Sequence, residues 1–245
     1  MTLPSVAALL RKAVLDAAAL LVPVECAGCG LPDRALCGPC RARLDPHPVL
    51  RGVGDLPVWA GLSYDGVPRR VILALKEAGR TDVARYLAPA LLSAVDRVSP
   101  GTTLCVVPSS AGARRRRGFE PTRLVAARAG IPLPRFLRSR STAAQKTFGA
   151  AARAVNVAGS MRASARVAGL RLVLVDDVVT TGATLLEARR ALVEAGADVI
   201  GAAVLASTPR RSRGAREGSP RAREARSRST GSAPPQPGDT GAGRD

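Results

Sequence analysis

Two neighbouring carboxylates stand directly after an apolar run in the stretch LVLVDDVVTTGAT, residues 172–184. The run predicts a buried strand, and open parallel α/β sheets bind their ligands at the carboxyl ends of such strands. Asp176 and Asp177 would both reach that edge, where carboxylate oxygens can accept hydrogen bonds from two adjacent hydroxyls. Because a ribose ring offers such a diol, the acid pair predicts a ribose site.

The segment that follows the acid pair predicts a phosphate cradle. It opens a helix, and the N–H groups of a helix N-terminus lack partners while the helix dipole favours an anion there. Threonine hydroxyls add donors, and a glycine lets the backbone approach the ligand. The predicted cradle comprises Thr180, Thr181, Gly182, Ala183 and Thr184. Together with the acid pair, it describes a site for a ribose 5-phosphate.

Two alternatives involve no ribose. The acid pair could cap a turn while the threonines cap the helix, or the strand could be the Walker-B strand of a nucleoside triphosphatase. The second alternative fails, because a P-loop needs a lysine that follows a glycine, and Lys76 and Lys146 follow Leu75 and Gln145. The capping alternative stays open.

Four of the five cysteines, Cys26, Cys29, Cys37 and Cys40, form the pattern C-x2-C-x7-C-x2-C. Two such knuckles can direct four thiolates at one tetrahedral Zn²⁺, and four thiolates leave no open position for catalysis. A pair of disulfides in a secreted protein is the alternative. The N-terminus lacks a cleavage site for secretion, so the pattern favours a structural zinc in a cytoplasmic protein.

The elements that must position these groups alternate between strand and helix. Apolar runs at residues 103–107, 171–177 and 197–207 predict buried strands, and helical periodicity at 68–78, 81–98, 119–130 and 183–196 predicts helices. This order predicts an α/β fold with a parallel sheet flanked by helices. Residues 44–57, which are rich in Pro and Gly, are predicted to be a linker, and a domain boundary is expected near residue 50.

The remaining segments flank this core. Residues 1–24 are expected to form an amphipathic helix, residues 25–50 a zinc-binding module and residues 207–245 a disordered basic tail. No apolar run is long enough for a membrane span. The net charge of +18 makes contact with polyanions plausible, although arginine supplies nearly all of it, as a GC-rich coding bias would.

Residues 172–184 resemble the phosphoribosyl pyrophosphate (PRPP) motif of type I phosphoribosyltransferases: an apolar strand, two acids, two apolar residues and T-T-G-x-T. The rest of the chain, up to about residue 206, resembles the ComF (competence protein F-like) branch of that superfamily. The landmarks are the cysteine knuckles, SYDGVPRRVILALKEAG, VVPSS, RRRRGFE and AQKTFGAAARAVNV. The chain departs from the common Arg-Gly-Phe-Asn-Gln by carrying Glu120 and Pro121.

The resemblance implies that residues 51–206 form a phosphoribosyltransferase-like domain that binds Mg²⁺ and PRPP. Asp176 and Asp177 would hold the ribose hydroxyls, and the loop with Ser109 and Ser110 would bind pyrophosphate. Residues 138–156 look like a mobile lid, in which Lys146 would contact the ligand. The three catalytic candidates are therefore Asp176, Asp177 and Lys146.

Two functions are compatible with these features. One is phosphoribosyl transfer to an acceptor that the sequence does not name. The other is a non-catalytic PRPP-fold adaptor or nucleic-acid-binding factor, with single-stranded DNA or DNA-processing proteins as partners, because the ComF family is associated with competence. The net charge, the zinc knuckle and the basic tail favour the second function, whereas the scarcity of aromatic residues for base stacking argues against it.

Overall fold

The computed structural model describes residues 24–98, 101–139 and 159–209. These residues lie within one compact unit, Met1–Arg210. The predicted N-terminal helix, nearly all of the predicted basic tail and most of the predicted lid, including Lys146, lie outside the described residues. None of the described helices is both long and apolar enough to span a bilayer.

A mixed five-stranded sheet with the order β1-β2-β7-β6-β3 forms the centre of the fold. Strands β2, β7, β6 and β3 are parallel, and β1 pairs antiparallel with β2 at one edge. A separate antiparallel ribbon consists of β4 and β5. The predicted α/β fold is thus confirmed. The strands are β1 Val49–Val53, β2 Leu56–Ser63, β3 Thr103–Val106, β4 Leu137–Ser139, β5 Met161–Ala163, β6 Arg171–Val179 and β7 Asp198–Ser207.

The linker prediction for residues 44–57 is wrong over β1. Val53 pairs with Leu56 across a two-residue turn of Gly54 and Asp55, and Gly54 has a φ of 60°. A glycine followed by aspartate is a common hairpin turn because such turns need positive φ angles. The prolines and glycines that suggested a linker therefore mark the ends of a hairpin at the sheet edge.

Six helices surround the sheet in the part of the chain that the structure describes. The helix predicted over 81–98 starts later, after a 3₁₀ turn at Thr81–Val83, and ends at Val95 although Pro89 lies within it. The helices are α1 Gly38–Ala42, α2 Gly66–Lys76, α3 Ala84–Val95, α4 Ala111–Arg117, α5 Pro121–Arg128 and α6 Ala183–Glu194. A second 3₁₀ turn spans Ala165–Val167.

The alternating side chains of β6 divide the core between the two faces of the sheet. Val175 packs with α2, α3 and α5 on one face, whereas Leu174 packs with α6 and the ribbon on the other. Val173 contributes to a smaller cluster beside α3. Since both faces are covered, β6 is apolar from Leu172 to Val175 and turns polar only at its carboxyl end.

Candidate functional site

The acid pair of β6 opens onto a cavity of about 420 Å³ at the carboxyl ends of the parallel strands, which we call the strand-end cavity. Asp176 and Asp177 are partly exposed there, and β6 continues for two residues beyond them. Side chains from β6, α2, α4 and the ribbon meet at this point. The lining residues are Tyr64, Lys76, Val107, Pro108, Ser109, Ser110, Ala113, Arg117, Ser139, Ser160, Met161, Asp176, Asp177, Val178, Thr180 and Thr184.

Six of the predicted ligand-binding residues share this cavity. They come from three segments that are distant in sequence: Ser109 and Ser110, Asp176 and Asp177, and Thr180 and Thr184. The remaining three cradle residues do not line the cavity: Thr181 and Gly182 form the turn before α6, and Ala183 is the first residue of that helix.

Lys76 is a site residue that the sequence analysis missed. Its Nζ lies 3.0 and 3.1 Å from the two carboxylate oxygens of Asp177, and both side chains are mostly buried. The lysine ends α2, 101 residues away along the chain. The one available signal was its rarity, because an arginine-rich chain that retains only two lysines uses each for a reason beyond charge.

The carboxyl of Asp176 has a raised pKa. Its Oδ1 accepts a hydrogen bond of 2.8 Å from the backbone N–H of Asp177. Desolvation, reinforced by the neighbouring charge of Asp177, raises the pKa of Asp176 from 3.8 to about 8, although Lys76 opposes the shift. A carboxyl that keeps its proton near neutral pH in the folded protein costs the fold stability, and such positions are typical of binding sites.

Replacing Asp176 with asparagine is expected to stabilise the fold at about pH 8 and to leave it unchanged at about pH 4. The unfolded chain ionises this carboxyl near 3.8, whereas the folded chain keeps the proton up to about pH 8. Wild-type stability is therefore lost as the pH rises between these two values. We expect the free energy of unfolding to rise by about 1–3 kcal/mol at the higher pH. This is less than the full conversion of the pKa shift at about 1.4 kcal/mol per pKa unit, because the carboxyl is partly solvated.

Urea unfolding at the two pH values measures this difference. Asp96→Asn, at the exposed end of α3, is the matched control and should show no such gain. An equal gain at both pH values would contradict the raised pKa.

The turn before α6 depends on a close approach between two elements. Gly182 has a φ of 85°, and a Cβ at this position would overlap with the side chain of Val53 in β1. Arg51 of β1 also donates hydrogen bonds to the carbonyl of Thr180 and, over 3.2 Å, to Thr208. The edge strand thus fixes the turn that carries the threonines.

The capping alternative is only partly correct. Thr181 accepts a hydrogen bond of 3.4 Å from the N–H of Ala183 within the turn, whereas the N-cap position of α6 is Gly182, which has no side chain to cap the helix. Of the acid pair, which this alternative has capping a turn, Asp176 accepts only from the N–H of its neighbour Asp177, and Asp177 accepts from Lys76. The carboxylates are therefore available to the cavity.

The arginine run of α4 divides between several environments. Arg117 lines the strand-end cavity and pairs with Glu77 at 3.3 Å. Arg114 lines a neighbouring cavity, and Arg115 and Arg116 are exposed. Ser110 caps α4 by accepting a hydrogen bond of 3.3 Å from the N–H of Ala113. One arginine of the four faces the same cavity as the acid pair.

Glu187 of α6 secures the opposite wall of the cavity. Its buried carboxylate accepts hydrogen bonds from the N–H of Met161 at 2.9 Å and from Arg190 at 2.7 and 2.8 Å. The pairing with Arg190 lowers the pKa of Glu187. Since Met161 starts β5 and lines the cavity, α6 positions the ribbon.

The four predicted zinc ligands converge at one point. Their sulfur atoms all lie within 4.8 Å of one another, and Cys26, Cys37 and Cys40 are buried. Four thiolates at about 2.3 Å from one zinc ion stand about 3.8 Å apart, so the cluster fits a tetrahedral ion after small movements. None of the four is in a disulfide among the residues that the structure describes.

Backbone donors favour the thiolate form of Cys26, whereas burial, reinforced by the neighbouring sulfurs, raises the pKa of Cys40. The N–H groups of Cys37 and Gly28 donate to Sγ of Cys26 at 3.3 and 3.4 Å. Burial raises the pKa of Cys26, but these bonds outweigh it and lower the pKa to about 6. The side chains of Arg70 and Arg80 donate to the carbonyls of Gly28 and Glu25. The cysteine segment is therefore tied to the α/β domain beside α2.

Comparison with known proteins identifies the family. The family described as Phosphoribosyl transferase domain matches residues 115–230. DNA utilization protein YhgH of Salmonella typhi is 31% identical over 194 residues, which cover 71% of this chain and 80% of that protein. The chain belongs to the ComF-like phosphoribosyltransferase family.

Two further proteins extend the similarities of this ComF-like chain. Orotate phosphoribosyltransferase of Pyrobaculum calidifontis is 48% identical over 62 residues, which cover 24% of this chain and 32% of that protein. The solved orotate phosphoribosyltransferase of Aeropyrum pernix is 19% identical with a TM-score of 0.32, and the match covers 68% of this chain and 77% of that one.

Proposed function

We propose that the strand-end cavity binds PRPP and that the protein transfers its phosphoribosyl group to an acceptor. The observation that carries this proposal is the convergence of an acid pair, a serine loop and a threonine turn on one cavity of about 420 Å³. These are the groups that a diol, a pyrophosphate and a 5-phosphate would each need. The family membership supports the same conclusion.

Each segment has a distinct role in this proposal. Asp176 and Asp177 accept hydrogen bonds from the ribose hydroxyls, and Lys76 orients Asp177. Thr180 and Thr184, with the N–H groups at the start of α6, hold the 5-phosphate. Because these contacts fix the sugar, its C1 is held for in-line attack.

The serine loop acts on the leaving group. As the acceptor attacks C1, the bond to pyrophosphate breaks and its electron pair leaves with the pyrophosphate oxygen. Ser109, Ser110 and the guanidinium of Arg117 stabilise that developing negative charge. The oxygen-rich surroundings of the acid pair suit Mg²⁺, which would arrive with PRPP and neutralise part of its charge. Lys146, outside the described residues, remains a proposed lid contact.

A comparison of ribose 5-phosphate with 2-deoxyribose 5-phosphate tests the diol contact. The deoxy sugar keeps the phosphate but lacks one hydroxyl, so one charge-assisted hydrogen bond to the acid pair is lost. We expect its Kd to be about 10–100 times higher, in line with about 1.5–3 kcal/mol for such a bond. Equal affinities by calorimetry would show that the site recognises only the phosphate.

We also propose that Cys26, Cys29, Cys37 and Cys40 bind one structural zinc ion. The sulfur separations and the backbone donors to Cys26 support this assignment. When bound, the ion would join the loop that carries Cys26 and Cys29 to the first turn of α1, which carries Cys37 and Cys40. Free thiolates that bind zinc also suit a reducing compartment such as the cytoplasm.

A second candidate function is a PRPP-binding adaptor in DNA handling that performs no catalysis. The relative of 31% identity is named a DNA utilization protein, and this chain carries a net charge of +18. Such an adaptor would bind PRPP without releasing pyrophosphate in the presence of any acceptor. Pyrophosphate release therefore separates the two candidates.

A further inference from the structure

The positive charge of this chain is concentrated in one stretch of sequence. Residues 121–175 contain ten arginine or lysine residues and no aspartate or glutamate. A GC-rich coding bias explains why arginine replaces lysine, but it does not explain why acids are missing over 55 residues. The ribbon of β4 and β5 lies within this stretch.

Four arginines of the ribbon region surround one cavity of about 540 Å³, which we call the ribbon cavity. Arg135, Arg138, Arg162 and Arg166 are all exposed, and no acidic residue lines the cavity. Within the described residues, only Arg135 of these four makes an ion pair, with Glu120 at 3.1 Å. The segment that joins β4 to β5 cannot neutralise the others, because it contains no acid.

Two of these arginines face each other across the ribbon. Arg138 of β4 is the direct register partner of Arg162 of β5. Side chains at such positions have Cβ atoms about 4.5–5.5 Å apart, and like charges there destabilise the pairing. The ribbon pairs only three residues per strand, so this repulsion acts on one of its three residue pairs. An anion between the two guanidinium groups would turn the repulsion into attraction.

The ribbon cavity connects to the strand-end cavity. A cavity of about 320 Å³ lies between them, sharing Arg135 and Arg138 with the ribbon cavity and Pro108, Ser109 and Ser139 with the strand-end cavity. Phe136, which is partly buried, lines the ribbon cavity beside the arginines. An aromatic ring among guanidinium groups is the combination that accepts a base together with its phosphates.

We propose that the ribbon cavity is a second ligand site, which binds the phosphate groups of a nucleotide, free or within a single strand of nucleic acid. Arg138 and Arg162 bind the phosphates, Arg166 adds charge and Phe136 stacks on the base. The site exists independently of phosphoribosyl transfer, since none of these residues lines the strand-end cavity. It also differs from the predicted basic tail, which lies outside the described residues.

The test measures binding of a fluorescent ten-nucleotide oligo(dT) and of ATP to the full chain. In R138Q/R162Q we expect about a tenfold or greater loss of affinity, and a slope of log K against log salt that is smaller by about 1.4 for the oligonucleotide, since each lost contact contributes about 0.7. R69Q/R128Q removes the same charge from exposed helix positions outside both cavities and should bind like wild type. Equal losses in both variants would overturn the proposal.

Two further measurements separate the possible outcomes. R138Q/R162Q should melt at the same or a higher temperature than wild type, because a like-charge pair is removed. R162Q/R166Q, at two positions outside the predicted lid and outside the strand-end cavity, should bind Mg²⁺-PRPP normally. F136L should weaken binding of the oligonucleotide or ATP but not of tripolyphosphate. If R138Q/R162Q loses affinity for the oligonucleotide alone, the site binds a nucleic-acid strand. If the variant loses affinity for both the oligonucleotide and ATP, the site binds nucleotides in general. Wild-type binding of neither ligand, or no effect of F136L, would overturn the nucleotide assignment.

Discussion

Cys37→Ser is expected to abolish zinc binding and to lower the free energy of unfolding of the whole α/β domain by about 3–5 kcal/mol. The reason is the shared core. Cys37 is buried in the same cluster as Leu62 of β2 and Leu75 of α2, so the proposed zinc site packs against the core of the α/β domain. We therefore expect a single unfolding transition at lower urea concentration, with no stable remainder.

The control for this variant is Cys105→Ala. Cys105 is a fully buried thiol of β3, and burial raises its pKa to about 12, so it behaves as a small apolar side chain. This variant should retain about one zinc ion per chain, as elemental analysis would show. Zinc retained in Cys37→Ser, or disulfides found in the wild-type protein, would contradict the zinc assignment.

Gly182→Ala is expected to destabilise the protein by about 2–5 kcal/mol and to weaken binding of Mg²⁺-PRPP. About 1–2 kcal/mol comes from placing alanine at a positive φ, and about 1–3 kcal/mol from the overlap of its methyl group with Val53. The turn can relieve the overlap only by moving away from β1, which displaces Thr180 and Thr184.

Gly130→Ala isolates the two contributions. Gly130 also has a positive φ, of 70°, but no atom stands within 4 Å of the position that a Cβ would occupy. Gly130→Ala should therefore lower the free energy of unfolding only by the cost of placing alanine at a positive φ, about 1–2 kcal/mol as measured by urea unfolding. Adding Val53→Ala to Gly182→Ala should restore part of the stability. Equal losses in Gly182→Ala and Gly130→Ala would show that the contact with β1 does not matter.

The sequence predicted the parts of the site that depend on local patterns. The buried strand, the acid pair at its end and the threonine turn are contiguous, and the end of a parallel strand has a fixed place in an α/β sheet. Ser109 and Ser110 were predicted from the family resemblance alone, and the pairing of β3 with β6 brings their loop to the same edge of the sheet. Neighbouring parallel strands bring their carboxyl ends together.

The contacts that the sequence missed arise from packing between distant segments. The ion pair of Lys76 and Asp177 joins residues that share no local pattern. The close approach of Val53 to Gly182 depends on β1, which its prolines and glycines disguised as a linker. The same packing brings the cysteine segment into the main core. Periodicity shows which face of an element is buried but does not identify the element that covers it.

Calorimetric titration of Mg²⁺-PRPP into the wild-type protein and into Asp176→Asn/Asp177→Asn tests the central proposal most directly. Asp96→Asn/Asp198→Asn, at two exposed positions outside the strand-end cavity, controls for the change in charge. We expect binding by the wild type and the control, and at least about a hundredfold loss in the acid-pair variant at pH 9, where both carboxyl groups are ionised and each accepts a charge-assisted hydrogen bond. Equal binding by all three proteins, or binding by none, would contradict a ribose-phosphate site at the strand-end cavity.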